Sequence, residues 1–370
     1  MVEMQTYPDP GMAIRPSPGG DQPTDRTRRL MRVLAVLGGM AIFGLIAVIG
    51  ASLIRVPYFS EGPGPAHDVL PLIEVRDRET FPTDGRLMLT TVSFSSDRLT
   101  ALQYLITLLD PDEDLIPQGD LLAPGQTIQE ESELQGYAMD QSQLEATAVA
   151  LRALDDYPPK SSDGAIVEAT LDGCEAAGQL FPGNLIVAID GEQVTGARSA
   201  SDLIDGVQVG EPIRFTAMAG DKEVRVDLER STCGPNGEKL VGVSLIDPFP
   251  VDVEIDDAGV GGPSAGLMFA LGIYDKLTPG DLTEGRSVAG TGEIDIAGNV
   301  YAIGGVEKKL MGASEAGVSV FLVPRDNLEA ARSAGIEGVQ LVPVDDFDDA
   351  LGFFTGDTVA PKGGDQEEGE

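Results

Sequence analysis

The chain has 370 residues, room for two or three compact domains, with 42% hydrophobic residues, 5% aromatics and no tryptophan. Sixty-one Asp and Glu stand against 25 Lys and Arg, a formal net charge of -36. A surface this acidic repels phosphate backbones, which excludes a nucleic-acid partner. With one histidine and two cysteines there is no donor set for zinc, so no metal and no other cofactor is expected.

Residues 1–32, rich in Pro, Gly, Asp and Thr, read as a disordered cytoplasmic tail. Arg26, Arg28, Arg29 and Arg32 then precede an uncharged run over 33–54. At 1.5 Å per residue that run can cross a bilayer core of roughly 30 Å. The basic flank stays inside, which predicts a single-pass cell-membrane protein with its N-terminus cytoplasmic and everything after Arg55 extracytoplasmic. Pro57, Pro63 and Pro65 predict an extended stalk over 55–83.

Residues 86–94 read as a buried strand. Leu99, Leu102, Ile106 and Leu109 repeat at helical spacing until Asp110-Pro111. The polar stretch 121–136 is predicted to loop out. Asp140 then caps a helix carrying Leu144, Ala148, Leu151 and Leu154, so a first segment covers 84–160.

A β-rich unit is expected over 161–235, with strands at 165–169, 185–189, 212–218 and 222–228 and a short helix from Ser201. Asp190-Gly191 marks a hairpin inside it. Cys174 and Cys233 both fall in this part, beyond the anchor, where disulfides persist. They either bridge the unit or stand as two separate buried thiols. From 236 to 354 strands and helices alternate. Strands at 240–246 and 251–255 lead to a glycine bend and a helix from Ala265, and a second helix covers 306–316. A buried strand at 318–323, a helix at 328–334 and a strand at 339–342 follow. The acidic residues 355–370 read as a disordered tail.

Two stretches carry chemistry. Gly261-Gly262-Pro263-Ser264-Ala265-Gly266 places a hydroxyl on a tight turn that opens an apolar helix. The glycines let the backbone turn, Pro263 fixes one dihedral, and the helix start around Gly262, Pro263, Ala265 and Gly266 is suited to hold a developing oxyanion. A serine here serves equally well as a plain helix cap. His67 is far away, so a base for Ser264 has to be a lysine. Gly305, Lys309 and Ala313 share a helical stripe, with Lys308 and Glu307 expected on the solvated side. A basic lysine must fall from about 10.4 to about 7.5, roughly 4 kcal/mol, which burial among apolar groups supplies.

Four ordered motifs resemble the proteolytic domain of the Lon protease family. They are Gly262-Pro263-Ser264-Ala265-Gly266, Thr291-Gly292-Glu293, Gly298-Asn299-Val300 leading to Gly304-Gly305-Val306-Glu307-Lys308-Lys309, and 320–324. The resemblance implies that Ser264 is the nucleophile, Lys309 the general base and Thr291 a hydroxyl that positions the lysine. Gly261 stands where most members carry an acid, and Glu307 and Lys308 reverse the usual charge order. Residues 85–94 and 137–154 resemble the early strand and helix of the same fold, so the β-rich unit is an insertion. Around Gly183-Asn184-Leu185-Ile186 and Asp190-Gly191 that unit resembles a PDZ domain. Such domains bind extended peptides or C-termini beside a strand edge, placed here at Gly164, Ala165, Ile166 and Val167.

The expected fold is therefore α/β: a Lon-type proteolytic domain with an inserted β-rich PDZ-like domain, after one N-terminal transmembrane helix. The expected function is that of a membrane-anchored serine endopeptidase with a Ser-Lys dyad, acting on peptides or unfolded proteins. It would need no ATP, since no Gly-x-x-x-x-Gly-Lys-Ser/Thr loop occurs. The resemblance also implies a homo-hexamer. A catalytically silent, membrane-tethered PDZ scaffold or chaperone is the alternative.

Overall fold

The computed structural model describes residues 25–160 and 162–356; the expected tails before residue 25 and after residue 356 lie outside the described residues. Helix α1 (Asp25–Leu53) is exposed along its apolar run except at the half-buried Gly50 and Ala51, and its length and composition are sufficient to cross a membrane. It starts upstream of that run, so part of the expected tail is helical. Arginine is a good helix former, which lets the basic flank extend the helix.

There follow β1 (Tyr58–Asp68), β2 (Ile73–Arg76), β3 (Arg86–Phe94), α2 (Ala101–Thr107), β4 (Asp114–Pro117), α3 (Gln118–Leu121) and α4 (Ile128–Ala153). Two expectations are corrected here. The stalk is not a stalk: β1 lies between β3 and β4, antiparallel to both. Its prolines are tolerated because the ladder with β3 shifts register between Pro63 and Ala66, a bulge where a missing N–H costs little. The expected 121–136 loop is helical from residue 128, where α4 begins. Thr127 caps it in a reciprocal box with Glu130, whose carboxylate accepts from the Thr127 N–H at 2.8 Å. Asp140 is mid-helix.

The inserted unit holds β5 (Ala165–Thr170), β6 (Leu185–Ile189), β7 (Glu192–Gln193), α5 (Ala197–Gly206), β8 (Pro212–Ala219), β9 (Lys222–Glu229), β10 (Ser231–Thr232), β11 (Lys239–Leu240) and β12 (Val243–Ile246). Its sheet runs β12-β5-β6-β8-β9, with β7 paired to β6 around the Asp190-Gly191 hairpin. Leu180, Ile186, Ile189 and Phe215 fill its core. The boundary at 235 is too early, because β12 pairs with β5 and completes this sheet. Cys174 and Cys233 are joined as a disulfide with Cα atoms 5.2 Å apart.

The remainder comprises β13 (Asp252–Ile255), α6 (Gly266–Leu277), β14 (Ser287–Gly290), β15 (Glu293–Ile294), β16 (Val300–Tyr301), α7 (Val306–Glu315), β17 (Val320–Pro324), α8 (Leu328–Ser333), β18 (Gln340–Val344) and α9 (Phe347–Thr355). The main sheet has the order β18-β17-β14-β3-β1-β4, so strands from both sides of the insertion share one sheet. Side chains alternate across it. Leu87, Leu89, Val288, Val320 and Leu322 join the core with α4 and α6, while Met88, Ala289, Phe321 and Val323 join the one with α7 and α8. Each such aliphatic burial contributes about 1.5–3 kcal/mol, and the three-layer stack it enforces brings the ends of β14, α6 and α7 together.

Candidate active site

Strand β13 delivers the chain to Gly261-Gly262, and a 3₁₀ turn (Pro263–Ala265) leads into α6. Gly262 has φ +88°, a conformation that favours glycine, and its N–H donates to Gln135 O at 2.8 Å. From the neighbouring α4, Ser142 Oγ donates to Pro263 O at 2.9 Å. Ser264 O accepts two further bonds, from Gly292 N–H at 2.9 Å and Thr291 Oγ1 at 3.0 Å. The bend is thus held from α4 on one side and from the end of β14 on the other.

Helix α7 comes to the same point from the opposite layer. It lies so close to β1 that a Cβ on Gly312 would sit 2.1 Å from Gly64 O. This approach buries Lys309, which is 4% exposed. Its Nζ lies 2.5 Å from Ser264 Oγ and 3.2 Å from Thr291 Oγ1. Burial pushes the Lys309 ammonium down to about 8, and the Glu61 carboxylate opposes part of that fall. A weakly basic amine beside a hydroxyl on a helix-opening turn can remove a proton from that hydroxyl.

Lys308 departs from expectation. It is buried rather than solvated, because β4 covers that side of α7, and its Nζ pairs with Asp114 Oδ2 at 3.0 Å. Glu61 on β1 was invisible in a segment predicted as stalk. Its carboxyl packs over Gly305, where a Cβ would lie 2.6 Å from Oε1. Burial raises its pKa, with Asp114 and Glu307 adding to the rise and Lys308 and Lys309 opposing it. Glu61→Gln is expected to move the rising limb of any Lys309-dependent pH–rate profile to lower pH, because a charge that favours the ammonium is removed. A limb that stays in place or moves up would contradict that coupling.

Of the four residues expected to serve an oxyanion or to position the backbone, Gly262 spends its N–H on Gln135 and Gly266 donates to Pro263 O. Pro263 has no N–H. These three shape the backbone rather than offer donors, which leaves Ala265. Gly266 has a steric reason as well, since a Cβ there would meet Ser142 Oγ at 2.6 Å and Ile294 Cγ2 at 2.8 Å. Gln135 and Ser142 are contributors that sequence reasoning missed. The Thr127-x-x-Glu130 capping pattern was the signal that the helix carrying them starts early.

The expected peptide edge at Gly164, Ala165, Ile166 and Val167 is corrected. Strand β5 is flanked by β12 and β6, and Ala165 and Val167 are fully buried. The inserted sheet ends in β12 on one side and β9 on the other, and β12 is the edge strand beside β5. Between β12 and α5 runs a groove lined by Ser201, Ile204, Arg230, Leu240, Gly242 and Val243. Among the described residues no cluster of His, Cys, Asp and Glu is suited to a metal.

Residues 251–353 match the family model of the Lon protease (S16) C-terminal proteolytic domain. The chain is 32% identical over 123 residues to Lon protease 2 of Herpetosiphon aurantiacus, covering 33% of this chain and 14% of that one. It is 28% identical over 149 residues to Lon protease 1 of Bacillus subtilis, covering 39% and 18%. It therefore spans less than a fifth of the length of these relatives. Among solved structures, the PDZ domain of an SdrC-like protein from Listeria innocua aligns at 25% identity and a TM-score of 0.21, covering 22% of this chain and 93% of that one. The molecule is a mixed α/β chain whose C-terminal part is similar to the Lon proteolytic domain.

Proposed function

We propose that the protein is a membrane-anchored serine endopeptidase that hydrolyses peptide bonds with Ser264 as nucleophile and Lys309 as general base. The 2.5 Å approach of Lys309 Nζ to Ser264 Oγ, at a lysine depressed to about 8, carries this reading. Neutral Lys309 takes the Ser264 proton as Oγ attacks the scissile carbonyl. The tetrahedral oxyanion forms beside the Ala265 N–H. The ammonium then returns its proton to the departing amine, and water activated by the regenerated amine hydrolyses the acyl-enzyme. Thr291 Oγ1, bonded to Ser264 O and within reach of Lys309, keeps the amine aimed.

In this reading α1 spans the cell membrane with the arginines inside, and the remainder works outside the cytoplasm without a nucleotide-driven motor. Flexible or unfolded segments are the substrates. The PDZ-like unit recruits extended peptides along β12, the edge bordering α5, and the resemblance to Lon favours assembly as a hexamer. The decisive experiment incubates the purified full chain in detergent with a denatured, labelled protein. Wild type should cleave it without ATP, and Ser264→Ala and Lys309→Ala should each abolish cleavage. Equal activity in all three would remove the peptidase reading and leave the tethered scaffold. Filling the groove with Ser201→Trp is expected to raise KM for the protein substrate about tenfold at constant kcat. An unchanged KM would place recruitment elsewhere.

A further inference from the structure

Among the described residues, five of the thirteen large hydrophobic side chains exposed outside α1 fall between residues 94 and 109: Phe94, Leu105, Ile106, Leu108 and Leu109. Scattered single exposures need no explanation, but a contiguous patch marks a contact surface. Leu109 is 84% exposed, more than any other large hydrophobic side chain described. No described element of the chain covers these residues.

Their position supplies the occupant. Helix α2 is tied directly to the foot of α1. Ala101 N–H donates to Ile54 O at 2.8 Å, Val56 N–H to Leu99 O at 2.9 Å, and Leu99 N–H to Tyr58 O at 2.8 Å. Arg55 adds a bond to Arg98 O at 2.5 Å and an ion pair with Asp97 at 3.2 Å. Tyr58 and Tyr104 stack edge-on with centroids 5.0 Å apart. The segment after Ile54 thus has little freedom to carry α2 away. If α1 crosses the bilayer, Ile54 stands where hydrocarbon gives way to headgroups, and α2 is held at that level.

We propose that α2 and the residues after it form a lipid-contact surface, with Leu105, Ile106, Leu108 and Leu109 seated in the outer headgroup and acyl boundary. The inference rests on α1 being a membrane span and goes beyond it. A second anchoring point beside the helix fixes how the main sheet is tilted over the membrane, because α2 and β1 are joined at the same place. The neighbouring charges are of both signs, Arg55 and Arg98 against Asp97, Asp110 and Asp112. Apolar contact therefore carries the attachment, and neutral lipid suffices.

The test uses the full chain reconstituted into phosphatidylcholine vesicles. Its own cysteines are joined in a disulfide, so a single introduced thiol can be labelled with an environment-sensitive fluorophore. Leu109→Cys and Ile106→Cys are expected to show blue-shifted emission and about twofold or greater quenching by nitroxide lipids, unaffected by added salt. Phe43→Cys in α1 should behave likewise, and Val209→Cys in the inserted unit should stay water-exposed. Quenching at 43 with a water-exposed label at 109 would overturn the lipid contact while keeping the anchor. No quenching at 43 would remove the anchor and this inference with it. A label at 109 shielded from both water and lipid, with crosslinking between copies, would overturn it in favour of a protein interface.

Discussion

Lys309→Arg is expected to reduce peptide hydrolysis at least about 10³-fold at every pH from 6 to 10. Arginine keeps the charge and the hydrogen-bonding reach but cannot release its proton in this range, so Ser264 is left without a base. In the wild type the rate should rise through about pH 8 as Lys309 loses its proton. Activity retained in Lys309→Arg, or a flat wild-type profile, would rule out the lysine as base. The same group makes a stability prediction, and it runs in the same direction with pH. Its folded pKa of about 8 lies below its ordinary 10.5, so between these values the unfolded chain holds a proton that the folded chain has shed. Stability therefore rises with pH across that window. Below about 8 the folded protein carries the full cost of a buried ammonium, roughly 3 kcal/mol. Lys309→Met, similar in volume and uncharged, should thus be inactive yet melt higher than wild type at pH 7, with the gap closing toward pH 10. A lower melting temperature at pH 7 would show that the bonds to Ser264 and Thr291 outweigh the desolvation.

Gly312→Ala should be the most damaging single-methyl change in the catalytic region. By helix propensity alone it would stabilise α7 by about 1 kcal/mol. The added Cβ, however, would stand 2.1 Å from Gly64 O, a backbone atom that a rotamer change cannot move. The helix has to recede by about 1 Å, and a displacement of that size at a reacting group costs on the order of 10²-fold in rate. Overpacking adds a net stability loss of about 1–3 kcal/mol. Gly136→Ala is the control. That glycine is also helical, in α4, but nothing lies within 4 Å of its Cβ position. A gain of about 0.5–1 kcal/mol with unchanged turnover is expected there. Equal behaviour of the two variants, read by thermal melts and turnover, would show that α7 and β1 are not in tight register.

Elements whose patterns are local were legible in the sequence. The short apolar runs of β3 and β17 read as buried strands, and the structure places successive residues of each in two different cores. The Asp190-Gly191 hairpin follows from turn chemistry alone, with both residues at positive φ. Failures occurred where a distant partner decided. Pro63 and Pro65 argue for a stalk until a bulge is found to absorb them between β3 and β4. Gly164 to Val167 look like a free edge until β12, far later in the chain, takes that edge by pairing Leu245 with Val167 and Ile246 with Ile166. Lys308 looks like a solvated neighbour of Lys309 until β4 covers it and supplies Asp114.

By itself the sequence determined the acidic balance, the apolar N-terminal run, the glycine bend around Ser264 and the helix with paired lysines, because each depends only on residue type and nearest neighbours. The tertiary structure alone decided that Lys309, which the helical stripe already singled out, is buried within reach of Ser264, that Glu61 tempers it, and that β12 takes the edge beside β5. Those outcomes depend on the layering of α4 and α6 against α7 across a sheet assembled from both ends of the chain. A buried charge acquires its basicity from that surrounding volume, which no stretch of neighbouring residues contains.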